Sequence, residues 1–299
     1  MQNMTLSIPK GPVYRKRFGF MPNPSVRQEI DTLDEKKDCQ RIVYLMVSYE
    51  FTHEIISALD LAYLASGVNK SVADILGRSH YLKNAMRRYD DTRFLILKFL
   101  ECGWDDEVGA SAIRKMNSAH ARYKIKNEDF VIALCVFMVA PIVWMENFGC
   151  RKLSQKERQA WFHFWIKIGY QMSIKEMPES YDQAKKHLDE MYTNFDEFSR
   201  FAPKLGESTL SVFVEKSSYP FRFIARWYYR ALSEESMCQA YGVRQLPMVA
   251  RLPIFSGIKV NSLLRKLVNL KSYPFIVSEQ KLKSYPDGAP TVGETGPAE

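Results

Sequence analysis

Residues 40–66 read Gln40-Arg41-Ile42-Val43-Tyr44-Leu45-Met46-Val47-Ser48-Tyr49-Glu50-Phe51-Thr52-His53-Glu54-Ile55-Ile56-Ser57-Ala58-Leu59-Asp60-Leu61-Ala62-Tyr63-Leu64-Ala65-Ser66. Apolar side chains at Ile42, Leu45, Met46, Tyr49, Ile56, Leu59, Tyr63 and Leu64 recur at intervals of three and four, which places them on one helix face. The same spacing runs through Leu82, Met86, Phe94, Leu95, Leu97 and Leu100, and Gly103 follows as a stop signal. Asp105 and Asp106 open the next helix, which carries Val108, Ile113, Met116 and His120. Ser154-Gln155-Lys156-Glu157 has the pattern of a capping box ahead of Trp161, Phe164, Trp165 and Ile168. Pro178 suits the first turn of a helix running through Ala184, Leu188, Met191 and Phe195. Further helices are predicted at about 207–215, 221–232, 234–241 and 258–270, and alternating runs with hairpin turns are absent. The pattern predicts an all-α fold, a single compact multi-helix domain.

That domain is expected over 27–285. The Pro/Gly-rich residues 1–26 read as an extended N-terminal arm. Residues 286–299 are so poor in apolar side chains that burial cannot offset their ordering entropy, and they read as a disordered tail. The Pro breaks at Ala202-Pro203, Tyr219-Pro220, Leu246-Pro247 and Leu252-Pro253 begin no long polar linker. The apolar run Phe130–Met145 contains Pro141 and is shorter than the roughly 20 residues of a bilayer span, so it predicts a buried core helix. The N-terminus lacks a basic region followed by an apolar one, so no signal peptide is expected. Cys39, Cys102, Cys135, Cys150 and Cys238 are odd in number and widely spaced, as in reduced cytoplasmic thiols rather than a disulfide framework or zinc site. The net charge of +8 is spread in short clusters with no aromatic platform, which argues against nucleic acid while allowing peripheral contact with an anionic membrane.

Two segments offer chemistry. Arg87-Arg88-Tyr89-Asp90-Asp91-Thr92 puts Arg88 and Thr92 four residues apart on one face. It reads either as a solvated charged face with local ion pairs, or as an inward guanidinium able to hold a carboxylate with Thr92 beside it. The second segment, Met116-Asn117-Ser118-Ala119-His120, carries an imidazole with no HExxH and no His, Cys or carboxylate partner at ligand spacing. His120 is therefore either an ordinary helix histidine or a lone ligand of the kind haem accepts and zinc does not. His53 sits on an otherwise apolar helix and reads as a core histidine or as a weak candidate for a distal pocket.

An ordered set of blocks resembles the MpaB-like oxygenases, relatives of latex clearing protein (rubber oxygenase). They are Arg88-x-x-x-Thr92, Gly103, Ala112-Ile113-Arg114-Lys115-Met116-Asn117-Ser118-Ala119-His120 and Ile125-x-Asn127-Glu128-Asp129-Phe130. After them come Pro141-x-x-Trp144, Phe148-Gly149-Cys150-Arg151-x-Leu153-Ser154-x-x-Glu157 and Gly169-x-x-Met172-x-Ile174-x-x-x-Pro178. The resemblance spans about 40–240. It implies a globin-like helical core binding haem b, with His120 as proximal iron ligand and Arg88 and Thr92 serving the haem. It also implies a haem-dependent oxygenase that uses dioxygen on a hydrophobic, isoprenoid-type substrate, by oxidative C=C cleavage or oxygenation. One departure stands out: rubber-cleaving members have a distal lysine just before the threonine, where this chain has Asp91. The reading from a different class is a non-catalytic helical protein that binds haem or a lipid-like ligand.

Overall fold

A computed structural model of the chain describes residues 24–193, 197–267 and 275–296. The helices, in order, are α1 (Pro24–Thr32), α2 (Cys39–Leu45), α3 (Thr52–Ser66), α4 (Lys70–Arg78), α5 (Ala85–Cys102), α6 (Glu107–His120) and α7 (Asn127–Phe148). They continue as α8 (Gln155–Gln171), α9 (Tyr181–Thr193), α10 (Ala202–Lys216), α11 (Arg222–Leu232), α12 (Glu235–Ala240) and α13 (Met248–Leu267). No strand occurs among the described residues, so the fold is all-α, one helical domain around a continuous apolar core.

Helix α7 lies at its centre, packed by α3, α8 and α9. Asp129 in its first turn is favourably placed against the helix dipole, and Val131, Leu134, Cys135, Met138, Val139 and Ile142 are buried. At 22 residues and a mean hydropathy of 2.0, α7 passes the length and composition test for a bilayer span, which the shorter run Phe130–Met145 did not. It nevertheless has 61% of its apolar window buried inside the fold. Burial rather than length therefore marks it as a core helix.

Helices α5 and α6 form an antiparallel hairpin whose tightness rests on two glycines. Gly103 ends α5 at φ +75°, and a Cβ on Gly109 would lie 1.7 Å from the Gly103 carbonyl oxygen. From the hairpin turn, Arg88 is about 20 Å back along α5 and His120 about 20 Å forward along α6, at 1.5 Å per residue. The topology thus brings the two level with each other.

Several expectations shift. The run 40–66 is not one helix: a wide π-helical turn, Met46–Glu50, interrupts it before α3. Ser48 of that turn gives its carbonyl oxygen to the Phe275 amide (2.8 Å), a long-range bond invisible to periodicity. Helix α9 begins at Tyr181, with Pro178 ahead of it, and Phe195 lies outside the described residues. Helix α13 starts ten residues before 258 and runs through Pro253, whose missing N–H removes only the bond to an exposed carbonyl near the helix start. The Ser154–Glu157 capping box is present as expected. Of the arm 1–26, residues 1–23 lie outside the described residues, and the rest begins α1.

The C-terminal segment returns along α5. Buried Glu101 accepts from the amides of Val277 (2.8 Å) and Ser278 (3.2 Å) and from the Ser278 hydroxyl. Asp90 accepts from the Ser284 amide (2.8 Å), and Asp91 from Gly296 N–H (3.0 Å) and Tyr285 O–H. Arg87 donates to the Glu294 carbonyl oxygen (2.8 Å), lies 3.9 Å over the Tyr285 ring and pairs with Asp91 (3.3 Å). The expectation of disorder beyond residue 286 weighed apolar burial alone. Up to Gly296 the segment is instead held by polar bonds to carboxylates that helix α5 supplies.

Burial pushes the Glu101 carboxyl up from 4.5 to about 6, against the bonds from Ser278. The folded state therefore holds this proton more tightly than the unfolded chain. Its contribution to stability is complete below pH 4.5 and is lost as pH rises through about 6. Glu101→Gln should flatten the unfolding free energy across that window, where the wild type loses about 2 kcal/mol. A denaturant series at stepped pH reads this out. An unchanged slope in the variant would show that Glu101 ionises without penalty.

Candidate functional site

Helix α5 presents Arg88, Thr92, Ile96 and Phe99 at intervals of four, four and three, so they share one face. That face closes one side of an internal cavity of about 210 Å³. Tyr63 of α3, Met116 and His120 of α6, Asp129, Phe130 and Phe137 of α7, and Trp165 of α8 complete most of the wall. Tyr81, Leu205 and Thr209, and Tyr241 close the far side. The lining is apolar apart from a few placed groups, the usual character of a small-molecule site.

The sequence-predicted residues separate cleanly. Arg88, Thr92 and His120 line the cavity together. His53 does not: it is exposed on α3 and stacks against Phe275, ring centroids 6.4 Å apart. His53 therefore lies outside the cavity that Arg88, Thr92 and His120 line. Its neighbours Phe51, Thr52 and Glu54 are buried, and the helix turns this one position outward.

His120, the last residue of α6, is held by packing, its ring 5.4 Å from that of Phe130. Its Nδ1 is buried with no hydrogen-bond partner among the described residues. Burial, helped by the nearby Arg88 charge, pushes the imidazole down from 6.5 to about 4. At neutral pH the ring is thus neutral, with a lone pair free to act as a ligand. Trp165 Nε1, on another lining residue, is also buried and unpartnered.

The Arg88 guanidinium makes no ion pair or hydrogen bond among the described residues. Half-buried at the cavity wall, it can meet an anion with its fork of donors. Thr92 donates its hydroxyl to the Arg88 carbonyl oxygen (2.8 Å), so toward the cavity it offers lone pairs and a methyl group rather than a donor. Asp91, one residue earlier, lies on a different face and is committed to Tyr285 and Gly296. It is absent from the cavity wall and is instead part of a structural clamp on the C-terminal segment.

Sequence reading missed the polar surroundings. Tyr81 and Thr209, 128 residues apart, share a hydroxyl bond of 2.8 Å in the wall. Behind Thr92, buried Asp60 accepts from Tyr89 (2.5 Å), Tyr229 (3.1 Å) and Lys216. Asp129 accepts from Ser71 Oγ (2.7 Å) and borders both the cavity and an open polar cleft on the outer side. These groups converge from distant segments, and no local spacing signals them. Among the described residues, no three His, Cys, Asp or Glu side chains cluster as a metal site.

Comparison with known proteins gives the family. The sequence model for "ER-bound oxygenase mpaB/B'/Rubber oxygenase, catalytic domain" matches residues 55–259. The chain is 24% identical over 167 residues to the ER-bound oxygenase mpaB of Penicillium brevicompactum, covering 54% of this chain and 41% of that protein. It is likewise 24% identical over 167 residues to mpaB' of the same organism, covering 38% of it. The match thus spans less than half the length of these relatives. A family model that covers residues 55–259, and with them nearly the whole cavity wall, is decisive: the chain belongs to the mpaB/rubber oxygenase catalytic-domain family.

Proposed function

We propose that the chain is a haem-b-dependent oxygenase that acts with dioxygen on a hydrophobic, isoprenoid-type substrate, by oxidative C=C cleavage or oxygenation. The observation that carries this reading is the presence, in one apolar cavity, of a neutral imidazole at His120, its Nδ1 buried without a partner, and the Arg88 guanidinium. That donor set suits haem: the His120 imidazole would offer a nitrogen to iron and Arg88 a fork of donors to a propionate carboxylate. At about 210 Å³ the cavity is smaller than a macrocycle needs. Seating one would require side chains of its wall to move aside, and the wall includes the flexible Met116 and Met172.

When bound, haem would supply reductive activation of dioxygen. The chain's own residues do the rest. His120 would hold the cofactor, and Arg88 would balance a propionate charge. Phe99, Phe137 and Trp165 exclude water and present a surface to which an apolar chain can bind. The oxygenase domain is assigned to 27–285, and the five free thiols support a cytoplasmic setting.

A substitution series tests the site. Arg88→Ala should lower haem occupancy, since removing one partner of a buried charge pair costs about 2–5 kcal/mol. Thr92→Val should cost only about 1 kcal/mol, the worth of one neutral bond. Arg87→Ala should leave occupancy intact but loosen the C-terminal segment, raising protease sensitivity near 285–296. Arg87 is therefore not the silent neighbour that a solvated face would make it. Equal haem loss at Arg87 and Arg88 would remove the propionate role, and oxygen uptake with a prenyl chain separates catalysis from mere binding.

A further inference from the structure

The outward face of α13 is apolar where a helix on a water-facing surface is normally polar. Val249, Leu252, Val260, Leu263 and Leu264 are all exposed, Val249 by 80% and Leu263 by 61%. At 100° per residue these five fall within about 120° of arc, a single stripe on the solvent side. The opposite face packs inward through Ile254, Phe255 and Ile258. Helix α11, packed beside it, exposes Phe223 (78%) and Trp227 one turn apart. Such a contiguous apolar surface marks an interaction site.

Charge selects the occupant. α11 carries three arginines and α13 four Lys or Arg residues, and neither helix contains an Asp or Glu. Arg226 pairs with Glu207 and Arg265 with Glu54 (3.8 Å), but Arg222, Arg230 and Arg251 donate to backbone carbonyls and keep their charge. Lys259 is exposed at the edge of the stripe. A second copy of the chain would bring this patch against itself, cation to cation, in a twofold contact. Residues 1–23 suit it no better, with four cations and no acid. An apolar stripe edged by Lys259, on two basic helices that carry no acid, is the composition of a helix lying in the interface of an anionic bilayer.

We propose that α13, with the exposed aromatic residues of α11, docks the protein on anionic phospholipid membranes, its stripe immersed in the headgroup boundary and Lys259 at the phosphates. This surface is separate from the cavity, and the proposal stands whether or not the chain binds haem. The test is co-sedimentation of the full chain with phosphatidylcholine vesicles, with and without phosphatidylserine. The wild type should partition at least roughly tenfold better onto the anionic vesicles and weaken with added salt, as expected for several cations. Lys259→Glu should lower that partition by about fivefold or more. The double variant Val260→Asp/Leu263→Asp should abolish it with an unchanged circular-dichroism melt, since both side chains face outward. Failure to bind anionic vesicles, equal binding to neutral ones, or wild-type binding by both variants would overturn the proposal. So would a dimer in light scattering that the double variant converts to monomer, because a second copy would then own the stripe.

Discussion

His120→Ala is expected to abolish stoichiometric haem binding while the helical fold survives. The imidazole carries no hydrogen bond whose loss would unfold α6, and alanine is the best helix former. The stability change should stay within about 1–3 kcal/mol, the ordinary range for removing a packed side chain. Haem titration followed by absorbance reads the first effect, and circular dichroism the second. Added imidazole should partly restore binding by entering the space left behind. None of the other histidines lines the cavity. A full Soret band in the variant would therefore remove the site itself, not just one residue of it.

The second large effect is structural. Arg151 stands between two buried carboxylates, donating to Glu50 (3.0 Å) and to Glu157 (2.6 Å), and lies 4.4 Å over the Phe51 ring. Glu157 also closes the α8 capping box by accepting from the Ser154 amide (2.7 Å). One guanidinium thereby joins the π-helical turn to the start of α8. Burial already pushes the Glu50 carboxyl up, with Arg151 opposing. Arg151→Met keeps much of the stem but strands both acids, at a cost of about 3–5 kcal/mol. Glu50→Gln in the same background should recover part of it, because one stranded charge disappears. Denaturant unfolding measures both, and a loss below about 1 kcal/mol would show that the pair is solvated in practice. The Phe148–Glu157 block of the family pattern is on this account a structural tie rather than a site.

How far the sequence foretold this can be traced through single residues. The three-and-four spacing of Met86 through Leu100 marks α5, although Leu82, read as part of it, lies in a separate 3-10 turn (His80–Lys83), and the antiparallel partner α6 puts His120 level with Arg88. Helix phase likewise separates Arg88 from Arg87, although it does not say which of the two faces inward. Periodicity failed where long-range bonds decide the backbone. The turn Met46–Glu50 is stabilised by Phe275 and Arg151, and residues 291–296 by Arg87 and Asp91. It failed again at His53, which one phase of an otherwise buried helix carries outward. Thr92 lines the cavity, but its hydroxyl is spent on its own helix. The Tyr81–Thr209 contact and the Asp60 cluster, assembled from segments more than a hundred residues apart, had no local signature to read.

The measurement that bears most directly on the central claim is the absorption spectrum of the purified full chain, before and after dithionite and after reconstitution with haemin. A neutral imidazole and the Arg88 guanidinium in one apolar cavity predict a Soret band at one haem per chain that shifts on reduction and is lost in His120→Ala. A chain that stays colourless after reconstitution, or takes up haemin equally well without His120, would contradict it.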